Sequence, residues 1–248
     1  MQLHLCTWQE VERYLGTSKG VLVPIGSTEQ HGPTGLIGTD AICAEVICRR
    51  VGEAVGALVA PTIAVGMAEH HMCFAGTITY RPSTLIDVIC DYVSSLARHG
   101  FERMLFVNGH GGNVATVNAA FYEAYGAASG RPGANAAGLR CRLVNWWAND
   151  KVKAISGDLF GDREGGHATA SEVSVTQYVH PDHIKRAKLD PPLAPNGGFY
   201  GAEDFRRRFP DGRIGSDPSL ATPGHGERLV AAAVEAIAGQ YRNFISAE

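Results

Sequence analysis

The stretch VLVPIGSTEQHGPTGLIGTD, residues 21–40, joins an apolar run to a loop rich in Gly and Pro. Its first part, VLVPI at 21–25, has the length and β-branched composition of a buried strand. Similar runs follow along the chain: ALVAPTIAV at 57–65, RMLFVN at 103–108 and LRCRLVNWW at 139–147. Longer segments with helical spacing separate them. This alternation predicts an α/β fold with a mostly parallel β-sheet, helices on both faces and right-handed crossovers.

Helices are predicted between the strand candidates. One begins just after Asp40, one covers 83–100 and one begins at Asn113. After about residue 151 the pattern is less regular: a Gly-rich loop at 156–167 precedes a predicted helix at 168–180, and a last helix is predicted at 227–245. The Pro- and Gly-rich stretch 190–226 is expected to be a lid, an oligomer arm or a linker. The length of 248 residues fits a single domain, 1–248.

Composition and charge exclude several classes of partner. The formal net charge of −3 provides no basic field that would attract nucleic acid or an anionic membrane surface. No apolar window approaches the roughly 18 residues of a membrane span. The six cysteines are scattered without a CxxC pair, which indicates reduced thiols. We therefore expect a cytoplasmic protein with neither a nucleic-acid nor a membrane partner, and no signal peptide is predicted at the N-terminus.

Side chains suited to metal binding or proton transfer come from three separate segments: Glu29, His31, Asp40, His110, His167 and Glu172. Two of the segments follow the carboxyl ends of predicted strands, where α/β sheets bind ligands. Taken singly, each residue has an ordinary interpretation: Asp40 could be a helix N-cap, and Glu172, in the middle of a predicted helix, could be a surface carboxylate. Together they form a mixed set of imidazoles and carboxylates, which favours Zn or Mn.

Five of these side chains are too many for one tetrahedral site with an open position, so the set suits two ions bridged by a carboxylate. Asp40 is the expected bridge. The charge of two divalent cations would slightly exceed that of the three carboxylates, and a bound hydroxide would neutralise the remaining positive charge. His167 then remains as a candidate general acid or base for the leaving nitrogen of an amide.

Four segments resemble those of the creatininase (creatinine amidohydrolase) family: GSTEQHGPTGLIGTD, GMAEHHMCFAGTITYRPSTL, MLFVNGHGGN and GGHATASEVS, in this order over roughly residues 21–179. The resemblance implies an α/β fold, hydrolysis of cyclic or linear C–N amide bonds and a homo-oligomer, usually a homohexamer. It also implies two divalent ions, zinc and/or manganese, with iron as an alternative.

By the same resemblance, the family's metal ligands correspond to Glu29, His31, Asp40 and His110, and its proposed proton-transfer histidine to His167. Creatininase itself has a metal-binding Glu where this chain has Gly112. Relatives with NGHGGN use a later Glu, which is Glu172 here. The expected metal ligands are therefore Glu29, His31, Asp40, His110 and Glu172, and the expected catalytic residues are His167 and Glu172.

The expected function is metal-dependent hydrolysis of a small, creatinine-like amide by a metal-bound hydroxide. Related alternatives are deformylation of a pyrimidine nucleotide of flavin or deazaflavin synthesis, and cleavage of a modified peptide. Outside catalysis, the NGHGGN loop could hold an anion, or a metal could serve folding alone. Further candidates for substrate contact are Trp146, Trp147, His70 and His71, each of which has an equally plausible role in core packing or in a loop.

Overall fold

A computed structural model describes residues 1–130 and 138–247, with the side chains of 128–130 left out. The sheet has four strands, β1 (Gly20–Ile25), β2 (Leu58–Val59), β3 (Arg103–Asn108) and β4 (Arg140–Asn145), in the order β2-β1-β3-β4. All three pairings are parallel. The predicted parallel α/β sheet is thus confirmed, with β1 and β3 at its centre.

Helices cover both faces of the sheet. In the described ranges they are α1 (Trp8–Leu15), α2 (Thr39–Val55), α3 (Pro82–Arg98), α4 (Asn113–Gly130), α5 (Asp150–Phe160), α6 (Ala170–Val179), α7 (Gly201–Arg208) and α8 (Pro223–Ser246). Alternate side chains of β1 enter two different cores: Leu22 packs with residues of α2, α5 and α8, whereas Val21 and Val23 pack with residues of α3 and α4. This two-sided burial explains the continuous apolar run of β1. None of the helices in the described ranges is long and apolar enough to cross a membrane.

Two of the predicted strands are shorter in the structure. β2 covers only Leu58–Val59. Ala60 N still donates to Leu22 O, but the next donor to β1 is Ile63 N, one residue later than a regular ladder requires. The chain nevertheless continues beside β1, where Ile63 N donates to Pro24 O. β4 ends at Asn145, and the next three residues form a 3₁₀ turn.

The stretch 190–226 is more ordered than its composition indicates. It contains α7 and forms an isolated antiparallel bridge between Ile214 and His167. The buried guanidinium of Arg213 anchors it by donating to Asp211 and to the carbonyl oxygens of Pro191, Pro192 and Ser216. Gly212 O accepts a hydrogen bond from Gln30 Nε2, so the stretch is also packed against the loop that follows β1. It forms one wall of the site described next.

Candidate metal centre

The carboxyl ends of β1 and β3 lie side by side, with the start of α2 packed against them. β1 leads into the loop that carries Glu29 and His31, and β3 leads to His110. This close approach requires a glycine, because a Cβ on Gly109 would lie 2.0 Å from the backbone oxygen of Asp40. Asp40 is not the N-cap of α2, which is Gly38. Its side chain is thus available to the loops beyond the strands.

Asp40 presents its two carboxylate oxygens to two different histidines. Oδ1 lies 3.0 Å from His31 Nε2, and Oδ2 lies 3.1 Å from His110 Nδ1. Glu29 Oε1 lies 3.2 Å from the same nitrogen of His110. Ligand atoms of Glu29, Asp40 and His110 fall within 4.8 Å of one another, as do those of His31, Asp40 and Glu172. These two groups share Asp40, the residue expected to be the bridge, and a third group combines Glu29, His31 and His167.

Although these atoms lie close to one another, several of them are buried and make no contact with hydrogen-bond geometry among the described residues: both carboxylate oxygens of Glu29, Oδ2 of Asp40 and Nε2 of His31. The parent side chains are almost fully buried. Buried carboxylates are costly unless they are paired or bind a cation. Imidazole nitrogens and carboxylate oxygens are donors that zinc and manganese accept. The residues thus fit a pair of divalent cations.

Both histidines of the cluster are oriented by their other ring nitrogen. His110 Nε2 lies 3.0 Å from Met67 O, and His31 Nδ1 lies 3.1 Å from Glu29 O. A backbone carbonyl only accepts hydrogen bonds, so these nitrogens carry the ring hydrogens. His110 Nδ1 and His31 Nε2 then face the carboxylates with their lone pairs when the rings are neutral, which is the usual arrangement of a metal-binding histidine.

The NGHGGN loop is held by the amides expected to shape it. Asn108 Nδ2 donates to His110 O, and Asn108 Oδ1 accepts from His110 N. Asn113 Nδ2 donates to Gly26 O, across to the loop after β1. The two strand ends are therefore joined by side-chain hydrogen bonds, which restrain the position of His110.

Glu172 is held at the start of α6 by a capping box with Thr169. Its Oε2 accepts from Thr169 N at 2.9 Å, and its backbone N donates to Thr169 Oγ1 at 3.2 Å. The prediction that Glu172 lies in the middle of a helix is wrong, because the N-cap Thr169 starts the helix at Ala170 and puts Glu172 in the first turn. The cap restrains the carboxylate beside His31 and Asp40.

The charges of the cluster depend on one another. Burial opposes ionisation of Glu29, but His110 and His71 outweigh it and hold the pKa of this carboxyl well below its usual value. Burial also opposes the cationic form of His31, yet Asp40 and Glu172 raise its pKa to about 10. The pKa of His110 is likewise well above its ordinary value, because Glu29 and Asp40 outweigh its burial. Without a bound cation, His31 and His110 thus keep protons in the place that metal ions would occupy.

His167 lies beside the two ligand groups. Its Nδ1 is 3.8 Å from Glu29 Oε1, and its ring packs on that of His31 with the centroids 4.6 Å apart. Burial lowers the pKa of His167 well below its usual value, and the neighbouring His31 and His71 lower it further. The ring is therefore neutral at physiological pH.

A cavity of about 530 Å³ opens onto this cluster. His70 contributes one wall: its ring stacks on Phe199 at 5.0 Å, and burial, with a further effect of His71, lowers its pKa to about 4. Trp147 also lines the cavity, whereas Trp146 is fully buried in the core. The stretch 190–226 supplies Phe199, Phe205 and Ile214.

Three site residues were missed or left open by the sequence analysis. His71 Nε2 lies 3.2 Å from Glu29 Oε1, although the HH pair gave no preference between a loop and a site. Gln30, between two predicted ligands, is buried, and its amide lies 2.9 Å from His71 and from His167. Glu164 lines the cavity, and burial, together with the charge of Glu172, raises its pKa to about 7. The sequence could have indicated Glu164 by its position in the GDREGGH loop, three residues before His167.

Comparisons with known proteins agree with this arrangement. The family model for creatininase, described as creatinine amidohydrolase, matches residues 4–240. A mycofactocin precursor peptide peptidase of Mycobacterium ulcerans is 31% identical over 232 residues, covering 88% of this chain and 83% of the relative. A creatinine amidohydrolase of Pseudomonas putida is 34% identical over 110 residues, 42% of each chain. Among solved structures, a mutant creatininase of the Zn-Zn type has a TM-score of 0.83 at 25% identity, covering 99% of this chain and 98% of that one.

Proposed function

The chain belongs to the creatininase family, and on that premise we propose that it is an amidohydrolase whose site holds two divalent cations, zinc or manganese. The observation that carries the proposal is the position of Asp40. Its two oxygens face His31 and His110 separately, and Asp40 belongs to both of the ligand groups that contain these histidines. One carboxylate shared in this way is the arrangement of a two-ion hydrolytic site.

Divalent cations at these ligands would polarise a carbonyl group and lower the pKa of a nearby water. The protein supplies the remaining steps. Hydrolysis of an amide places the oxygen of water on the carbonyl carbon, breaks the C–N bond and requires a proton at the leaving nitrogen. Neutral His167, beside Glu29, is placed to accept a proton from water and deliver it to that nitrogen. The aromatic wall that includes Phe199 and Phe205 would limit bulk water around the reacting bond.

The test combines metal content with hydrolysis. By elemental mass spectrometry, we expect about two equivalents of zinc or manganese in the wild type, near zero in Asp40→Asn, and about one in Glu172→Gln, which removes a ligand of one group only. Glu53→Gln is the matched control, since Glu53 is an exposed carboxylate on α2, the helix that carries Asp40. Asp40→Asn with wild-type metal content and activity would contradict the proposal.

A second candidate substrate is a peptide, because a relative that aligns with 88% of this chain is named a peptidase. The cavity of about 530 Å³ lies within the size range that encloses drug-sized ligands, so it is not restricted to a ring as small as creatinine. Lys153 is the one lysine or arginine of the described cavity lining, which gives no cluster for a nucleotide phosphate.

A panel with creatinine, other cyclic amides, formamides and short peptides separates these possibilities. Hydrolysis of the small amides supports the first candidate. Cleavage of peptides alone supports the second. Inactivity of a fully metal-loaded protein towards every compound of the panel would contradict both.

A further inference from the structure

The side-chain amide of Gln30 has one orientation only. Its Oε1 lies 2.8 Å from Gly32 N, and its Nε2 lies 2.9 Å from Gly212 O. A backbone N–H can only donate and a backbone carbonyl can only accept, so both ends of the amide are assigned by their partners. Gly212 permits this approach, since it has a φ of +89° and a Cβ there would lie 1.9 Å from Gln30 Oε1.

Gln30 Nε2 carries two hydrogens and has three neighbours at 2.9 Å: Gly212 O, His71 Nδ1 and His167 Nε2. One of these neighbours is not available as an acceptor. His167 Nε2 also lies 2.9 Å from the backbone oxygen of Gln30, which has no hydrogen to give. The ring hydrogen of neutral His167 therefore resides on Nε2 and is donated to that oxygen.

The two amide hydrogens of Gln30 then go to Gly212 O and to His71 Nδ1. His71 consequently carries its own hydrogen on Nε2, the atom that faces Glu29 Oε1 at 3.2 Å. In this network the two amide hydrogens of Gln30 and the ring hydrogen of His167 each have one acceptor. It leaves His167 Nδ1 with a free lone pair, 3.8 Å from Glu29 Oε1 and facing the ligand cluster.

We propose that Gln30 is a positioning residue that sets the tautomers of His71 and His167, so that His167 presents Nδ1, and not Nε2, for proton transfer. The side-chain amide of Gln30 sets the tautomer of His71, and the backbone carbonyl of the same residue sets that of His167. The proton-transfer role of Nδ1 rests on the proposed hydrolysis. The tautomers themselves do not depend on turnover and can be measured without a substrate.

The test is ¹⁵N nuclear magnetic resonance of the histidine rings in zinc-loaded protein labelled with [¹⁵N]histidine. Signals are assigned by their loss in His71→Gln and His167→Gln. In the wild type we expect an unprotonated Nδ1 and a protonated Nε2 for both rings. In Gln30→Glu an acceptor replaces the donor, so the hydrogen of His71 moves to Nδ1.

Gln30→Met preserves the length of the side chain but removes the donor, so His71 becomes a mixture of tautomers. We expect kcat to fall about 10- to 100-fold in Gln30→Met and Gln30→Glu, the range for loss of a group that orients another residue, with KM and metal content unchanged. Thr77→Val is the matched control: it removes a hydrogen bond to the backbone N of Gln30 and leaves the amide intact. Its histidine spectra should match the wild type.

A wild-type His167 with its hydrogen on Nδ1 would overturn the inference, and this measurement requires no variant to fold. Unchanged ring signals of His71 in folded Gln30→Met would also overturn it. Failure of the wild type to hydrolyse any amide would instead contradict the proposed function, and the wild-type spectra would still decide the tautomers.

Discussion

Binding of zinc to the metal-free protein should release protons. In the absence of a cation, His31 Nε2 lies 3.0 Å from one oxygen of Asp40, and His110 Nδ1 lies between Asp40 and Glu29. Burial disfavours the cationic rings, but these carboxylates outweigh it, raising the pKa of His31 to about 10 and that of His110 well above its ordinary value. Near neutral pH both rings therefore hold a proton on the nitrogen that a metal ion needs.

The structure sets the size and the sign of the effect. One proton must leave each of the two rings, so loading two ions should release about two protons per chain. A raised pKa means that the proton is still bound above pH 6.5, the ordinary value for histidine, and is lost only as the pH rises through about 10 for His31. Across this window the affinity for the ion that binds His31 should increase about tenfold per pH unit.

Isothermal titration calorimetry in two buffers with different enthalpies of ionisation measures the number of released protons. His31→Gln should bind one ion fewer and release about one proton fewer. His99→Gln, which changes an exposed histidine at the end of α3, is the control and should behave as the wild type. Release of well under one proton per chain at neutral pH would refute the reasoning, because the rings would then be neutral before the metal binds.

Two further predictions concern stability. Arg213→Met should lower the free energy of unfolding in urea by roughly 3 kcal/mol, because it leaves Asp211 and three backbone carbonyls without their buried partner. Arg208→Met, which changes an exposed arginine, is the control. A loss of stability no larger than that of the control would contradict the prediction. Burial, with the charge of Glu172, raises the pKa of Glu164 from 4.5 to about 7, so the folded metal-free protein binds the extra proton and should lose stability as the pH rises through this window. Glu164→Gln should flatten this dependence, measured by urea unfolding at several pH values, and an unchanged pH dependence would contradict the assignment.

Much of the fold follows from local patterns. The apolar runs at β1 and β3 predicted the central strands, because both faces of these strands are buried and no polar side chain interrupts them. The candidate ligands Glu29, His31 and His110 were recognisable for a related reason: they follow strand ends, and parallel strands bring these ends to one edge of the sheet. The short β2 departed from prediction where one extra residue before Ile63 breaks the regular ladder with β1.

The sequence by itself therefore determined the α/β class, the family and the types of candidate ligand, since each depends on residues close together in the chain. Only the tertiary structure decided how the candidate ligands are grouped. Asp40 lies between His31 and His110 because Gly109 lets α2 press against the strand ends, and the contact of Gln30 with His167 joins residues 137 positions apart. Such contacts are set by the packing of α2 against the sheet and of the stretch 190–226 against the loop after β1. The hydrophobic periodicity of one helix or one strand carries no information about them.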